Sequence, residues 1–330
     1  MAARKTTVPM EALLVSHLPE GKEWRYEPKW DGFRCLVSKR KNTLTLRSKS
    51  GKPLERYFPD IVSIFVKLAA KNFILDGELL VAGDSGYSFS DLQMRLHPAA
   101  SRVNMLAEKQ PATFVMFDIL ETEKGRQTMS APLSERRLIL ERFYQKYFSK
   151  EKAVKLSPQT DSIPEAMKWL STSGWVIDGI IAKNSADGYV PGERVMQKYK
   201  PIRTADCVVG GFRYGTGTKA VGSLLLGLYD EEGRLHHVGF TSSIAKADKP
   251  TLTKRLENLI HEPGFTGNAP GGPSRWSTER STQWKPLSPK LVVEVSFDHV
   301  TDNRFRHGTK LLRFRPDKLP RQCTMEQLLR

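Results

Sequence analysis

Two hydrophobic periods run through this chain, one of two residues that makes strands and one near 3.6 that makes helices. Phe33 to Leu46 reads as a β-hairpin. Thr43-Leu44-Thr45-Leu46 alternates strictly, and Lys41-Asn42 supplies the turn. Pro59-Asp60 opens a helix with Ile61, Ile64, Phe65 and Leu68 at i, i+3, i+4 and i+7, on one face. Phe73 to Val81 is a buried-looking strand interrupted by Asp76 and Glu78. Ser90 to His97 predicts a short helix, with Ser90 and Gln93 at capping-box spacing. Thr113 to Leu120 is a strand carrying Asp118, and Ser134 to Phe148 is a long basic helix. Ile163, Ala166, Met167 and Leu170 mark one more helix, which Gly174 stops. Val176 to Lys183 and Met196 to Tyr199 are further strands. Residues 1–28 look mostly irregular, punctuated by Pro9, Pro19 and Pro28. This irregular mixture predicts antiparallel α+β sheets rather than a regular βαβ alternation.

The pattern changes near Pro201. Short strands with glycine-rich turns follow, at Cys207–Phe212, Ser223–Tyr229, His236–Thr241 and Leu291–Phe297. One helix interrupts them, with Leu252, Leu256, Leu259 and Ile260 on one face. That is the pattern of a small β-barrel with a helix between strands, as in an OB-fold. Gly264 to Pro273 is a loop, and Thr324 to Leu329 carries a capping box and a last helical turn. The expected division is residues 1–202 and 203–330, and 330 residues suffice for two cores.

Composition adds a partner. Lysine and arginine total 52 against 36 aspartates and glutamates, a net charge of +16. Such a field attracts a polyanion, and nucleic acid leads. A membrane surface fits less well, because the basic residues are spread along the chain and not gathered on one amphipathic helix. No apolar run reaches spanning length, and the basic N-terminus lacks the apolar core of a signal peptide, so the expected location is cytoplasmic. Cys35, Cys207 and Cys323 are far apart and in no metal-ligand spacing, which suggests a reducing compartment and no structural zinc.

The candidate chemistry starts at Lys29, in Glu27-Pro28-Lys29-Trp30-Asp31-Gly32-Phe33-Arg34. A lysine amine is a nucleophile only when neutral, and its free pKa is about 10.4, so a reactive lysine needs help from its surroundings. Asp31-Gly32 is a turn signal, which puts Lys29 at a strand edge or turn. Asp76 and Glu78, at i and i+2 in an apolar strand, share one face. They are either a structural pair to a cation or ligands for a hard metal, and Asp178 has the same look, its place between β-branched residues and a glycine making it either a bulge residue or a ligand. Lys198 and Lys200 also share a face, either guarding a sheet edge or aimed at phosphate. Arg313, Arg315 and Lys318 repeat that theme. Phe117 is either core or a platform for a base.

In order, Lys29-Trp30-Asp31-Gly32-Phe33-Arg34, Asp76-Gly77-Glu78-Leu79, Phe117-Asp118, Asp178-Gly179-Ile180-Ile181-Ala182-Lys183, Lys198-Tyr199-Lys200 and Arg315-Pro316-Asp317-Lys318 resemble the covalent nucleotidyltransferases. The chain is most similar to the ATP-dependent DNA ligases. Phe89 to Leu96 and Phe305 to Thr309 look like the short bacterial LigC type. The resemblance implies an ATP-grasp-like nucleotidyltransferase domain followed by an OB-fold domain. It also implies three steps. Lys29 attacks the α-phosphate of ATP, AMP passes from the lysine to the 5′-phosphate at a nick, and the 3′-hydroxyl seals the strand.

The same resemblance implies roles. Glu78 and Asp178 would contact Mg²⁺ (or Mn²⁺) or ribose, and Phe117 would stack on adenine. Glu27 would contact nucleotide, Arg34 nucleotide or the nick phosphate, and Lys198 and Lys200 the α-phosphate. Arg315, Asp317 and Lys318 would orient pyrophosphate. Arg47, Lys49, Arg304 and Arg306 would contact nicked duplex DNA, bound by a monomer without an added N-terminal DNA-binding domain. Two positions depart from the family. Asp178 stands where it usually has glutamate, and Lys49 where it usually has arginine. RNA ligases and capping guanylyltransferases share the lysine motif, and a non-catalytic nucleic-acid-binding protein is the alternative from another class.

Overall fold

The computed structural model describes residues 7–83, 86–172, 177–271, 283–298, 300–301 and 303–328. Gly174, Val176, Pro273 and Leu329, used above to place element ends, lie outside the described residues. The chain divides into two units, Met1–Lys200 and Pro201–Arg330.

In the first unit the alternating segments become strands and the 3.6-period segments become helices. The strands are β1 (Ala12–Val15), β2 (Trp24–Trp30), β3 (Phe33–Arg40), β4 (Thr43–Ser48), β5 (Asn72–Gly83), β6 (Gly86–Tyr87), β7 (Ala112–Glu121), β8 (Val154–Leu156), β9 (Ile177–Asn184) and β10 (Met196–Tyr199). The helices are α1 (Pro59–Lys67), α2 (Phe89–Met94), α3 (Ala100–Lys109), α4 (Leu133–Phe148) and α5 (Ile163–Thr172). One sheet runs β1-β10-β9-β2 and the other β4-β3-β5-β7-β8, with β6 on β5. The second sheet holds the main core. Phe65 of α1 is fully buried, with its ring centroid 5.3–5.9 Å from those of Phe73, Phe114 and Phe148. A smaller cluster of Met10, Leu36, Leu120, Tyr189 and Met196 takes residues from both sheets and joins them.

Four readings change. Residues 7–28 are mostly irregular as expected, but they also hold β1 and the start of β2. β1 is short and pairs in parallel with the distant β10, and β2 contains Pro28. The proline is tolerated because β2 is an edge strand, where a missing N–H breaks no second ladder. Helix α3 carried no strong signal, yet it buries Val103, Leu106 and Ala107. The cap of α2 is Ser88 rather than Ser90, its hydroxyl accepting from the Asp91 N–H.

The second unit has β11 (Arg203–Tyr214), β12 (Val221–Tyr229), β13 (Leu235–Thr241), α6 (Lys249–Glu257), β14 (Lys285–Pro286), β15 (Val292–Phe297), β16 (Val300–Thr301), β17 (Arg304–Phe305) and β18 (Lys310–Phe314). The ladder runs β13-β12-β11-β15-β18, with β14 on β11. Its core includes Val208, Phe212, Leu224, Leu226, Val293 and Val295. The fourth change is here. Helix α6 buries Leu252 and Leu256 but stops at Glu257, so Leu259 and Ile260 follow it as a turn that bridges to Leu287. Met325–Leu328 forms a 3₁₀ turn.

Candidate active site

Lys29 is the penultimate residue of β2, at an irregularity in the β2–β9 ladder. Pro28 pairs with Ile180 and Trp30 with Ile177, so Lys29 alone faces both Asp178 and Gly179. Such a bulge re-aims a side chain. Glycine is required at 179. Its φ is +151°, and a Cβ there would lie 2.2 Å from the Tyr199 carbonyl oxygen. The bulge brings the Asp178 carboxylate to the amine, with Lys29 Nζ donating to Oδ2 at 2.5 Å. Lys200 Nζ lies 2.8 Å from the same oxygen. Burial opposes the Asp178 charge, but Lys29 and Lys200 outweigh it and hold its pKa below the usual aspartate value.

Lys29 lines a cavity of about 190 Å³ with Arg34, Lys49, Lys198, Glu78 and Phe117 among its other walls. Five lining side chains are basic (Lys29, Arg34, Lys49, Lys183 and Lys198), and three are acidic (Glu11, Glu27 and Glu78). The acids are largely withdrawn. Glu27 gives one oxygen to Lys183 at 2.7 Å and the other to Gln159 at 2.8 Å. Glu11 pairs with Lys49 at 3.1 Å. Burial pushes the Glu78 carboxyl up to about 8, with Arg34 and Lys29 pulling the other way, so at neutral pH it is mostly uncharged. The cavity is therefore positive, as a bound triphosphate requires. Lys198 has its pKa lowered, first by burial and then by Lys29 and Lys200. That combination makes it ready to receive an anion.

Arg34 grips Asp76 with two bonds, Nε to Oδ1 at 2.6 Å and Nη2 to Oδ2 at 2.7 Å. Burial disfavours its charge, but Asp76 more than compensates and its pKa is raised. Its guanidinium carbon lies 4.5 Å from the Phe117 ring centroid, and Lys183 Nζ lies 5.0 Å from it. Phe117 is thus a buried ring flanked by cations at the cavity wall. Among the described residues no group of three His, Cys, Asp or Glu side chains gathers as a metal cage.

The remaining candidates lie elsewhere. Arg47 is half-buried in β4, opposite Leu36. In the second unit, Arg315 and Lys318 converge on Asp206, at 2.9 and 2.7 Å, and Arg315 also bonds Asp317 at 2.8 Å. Arg315 holds the Asp317 carboxyl down to about 2. Arg304 Nη2 donates to His237 Nδ1 at 3.1 Å, and Arg306 is half-buried. Burial lowers the His237 pKa to about 3, with Arg304 and Arg213 adding to the effect, which leaves the ring neutral and able to accept. Asp206, Lys183 and Glu11 received no role from sequence reasoning. Lys183 alone had a signal, its position at the end of the Asp178 strand.

Residues 1–200 match the family model described as the ATP dependent DNA ligase domain, and residues 217–318 match that of the ATP dependent DNA ligase C terminal region. The chain belongs to the ATP-dependent DNA ligases. It is 40% identical to DNA ligase C2 of Mycolicibacterium smegmatis, covering 97% of this chain and 93% of that one. It is 38% identical to DNA ligase C of Mycobacterium tuberculosis, covering 98% and 93%. Among solved structures, the ligase domain of M. tuberculosis LigD aligns at 27% identity with a TM-score of 0.53, covering 96% of this chain and 98% of that one. A mycobacterial DNA ligase D complexed with ATP and MES aligns at 26% identity with the same TM-score and coverage. This ligase is therefore LigC-like, uses ATP and acts on DNA. No helix among its described residues is long and apolar enough to cross a membrane.

Proposed function

We propose that Lys29 is the residue that carries AMP, and that the cavity beside it is where ATP binds. The observation that carries this reading is the placement of the Lys29 amine at a bulge, in the wall of a net-positive cavity that also holds Lys198, Arg34 and Phe117. Lys29 Nζ attacks the α-phosphorus, the bond to pyrophosphate breaks, and the amine proton leaves through Asp178, its hydrogen-bond partner. Lys198 and Lys200 hold the α-phosphate and neutralise its charge. Phe117 supports the adenine, with Lys183 and Arg34 at its ring and Glu27 anchoring Lys183.

The donor set fits a divalent ion that arrives with ATP better than a resident one. Mg²⁺ keeps several waters and needs only one or two carboxylates beside phosphate oxygens, which Asp178 and, once the ion displaces its proton, Glu78 would supply. When bound, it neutralises phosphate charge in the displacement.

Residues 1–202 act as the nucleotidyltransferase domain, and residues 203–330 as an OB-fold domain. The order β13-β12-β11-β15-β18, with a parallel bridge between Thr241 and Thr309 at its two ends, supports a barrel. Arg315, Asp317 and Lys318, set by Asp206, orient pyrophosphate. Lys49, Arg47, Arg304 and Arg306 contact nicked DNA. The protein works as a cytoplasmic monomer in DNA repair, a role that the names of the LigD relatives, non-homologous end joining proteins, support.

Sealing of a 5′-phosphorylated nick with ATP and Mg²⁺ tests this reading. Wild type seals and Lys29→Ala does not. Sealing by Lys29→Ala, or a GMP adduct without an AMP adduct, contradicts it.

A further inference from the structure

The Tyr189 hydroxyl closes a ring of hydrogen bonds behind the cavity. It accepts from the Met10 N–H at 2.8 Å and donates to Asp76 Oδ2 at 2.6 Å. Asp76 receives the two bonds from Arg34, and Arg34 Nη2 lies 3.4 Å from the Met10 carbonyl oxygen. The peptide groups on both sides of Met10 are thus tied to one carboxylate, one through Tyr189 and one through Arg34. Tyr189, Asp76 and Met10 are 4%, 0% and 3% exposed, so water cannot replace a lost partner.

The ring spans the two sheets of the first unit. Met10 leads into β1, while Arg34 and Asp76 stand on β3 and β5. Met10 and its neighbours Pro9, Glu11 and Ala12 line the cavity, as does Arg34. Tyr189 itself does not. Its backbone is fixed independently, by a bond from its N–H to the Met129 carbonyl at 2.7 Å. The phenol stays protonated, because burial and Asp76 raise its pKa. It is a fixed donor and acceptor joining two pieces of cavity wall.

We propose that Tyr189 is a positioning residue for ATP, holding the Pro9–Ala12 segment and Arg34 at the spacing the nucleotide needs. This rests on the reading of the cavity as the ATP site. The hydroxyl acts through Met10 and Arg34, so its loss weakens nucleotide binding without removing a group from the reacting atoms.

The test is single-turnover formation of the enzyme–AMP adduct against ATP concentration, for wild type and Tyr189→Phe. The phenylalanine keeps the ring, which Arg136 approaches at 5.9 Å, and deletes only the hydroxyl. The ATP concentration giving half-maximal rate rises about tenfold, and the maximal rate falls less than threefold. A merely structural role lowers the amplitude, by reducing the folded fraction, and leaves the half-saturating concentration unchanged. That result overturns the proposal. Asp76→Asn, which keeps the shape and removes the charge, raises the half-saturating concentration in the same direction and serves if Tyr189→Phe does not fold. An unchanged value in it also overturns the proposal. If wild type forms no adduct, the reading of the cavity fails. If wild type forms it and the variants bind ATP equally well, only the role of Tyr189 fails.

Discussion

Glu78→Gln isolates the proton that the structure places in the cavity. Glu78 is 9% exposed in β5, and burial, reinforced by Asp76 and Asp31, raises its pKa from 4.5 to about 8 against the pull of Arg34 and Lys29. Between those two values the folded protein holds a proton that the unfolded chain has lost. Stability therefore falls as pH rises through that window, and the full deficit is reached above pH 8. The separation corresponds to a loss on the order of 3–5 kcal/mol, and glutamine, which cannot ionise, does not suffer it. Urea denaturation of both proteins from pH 5 to pH 9 measures the effect. The stability of wild type relative to Glu78→Gln declines by a few kcal/mol across that range, with no change in slope against urea. Parallel pH profiles for the two proteins would refute the argument that Glu78 is neutral in the free enzyme.

Three further outcomes follow from individual contacts. Gly179→Ala forces a methyl to within 2.2 Å of the Tyr199 carbonyl at a φ of +151°, so it costs about 2–4 kcal/mol in denaturation and lowers the rate of adduct formation. Arg136→Met strands Asp118, which is 2% exposed and bonded to Arg136 at 2.9 and 3.0 Å, and costs about 3–5 kcal/mol in the same assay. Affinity for nicked duplex, measured by fluorescence anisotropy, falls steeply between about 50 and 200 mM salt, and Arg304→Ala reduces the slope by about one.

Strong, local patterns were legible in the sequence. The Lys41-Asn42 hairpin, the α1 face and the strand around Asp76 and Glu78 appear where periodicity puts them. What escaped depends on distant partners. β1 exists because β10 lies beside it, and β2 accepts Pro28 because it is an edge. Asp178, between β-branched residues and a glycine, read as either a bulge residue or a metal ligand, and it sits at a bulge, but no local pattern could show that the β2–β9 bulge delivers it to Lys29 and Lys200. The gathering of Arg315 and Lys318 on Asp206 was hidden for the same reason, since Asp206 is distant in sequence. Tyr189 carried no motif that sequence reasoning used, because its role is a hydroxyl shared between residues from two sheets.

The central claim is that the Lys29 amine carries AMP. The direct measurement is the intact mass of the protein after incubation with ATP and Mg²⁺, followed by peptide mapping of the adduct. The account predicts a single acid-labile AMP adduct on the peptide containing Lys29, absent in Lys29→Ala. An adduct on another residue, or none from a protein that still seals nicks, would contradict it.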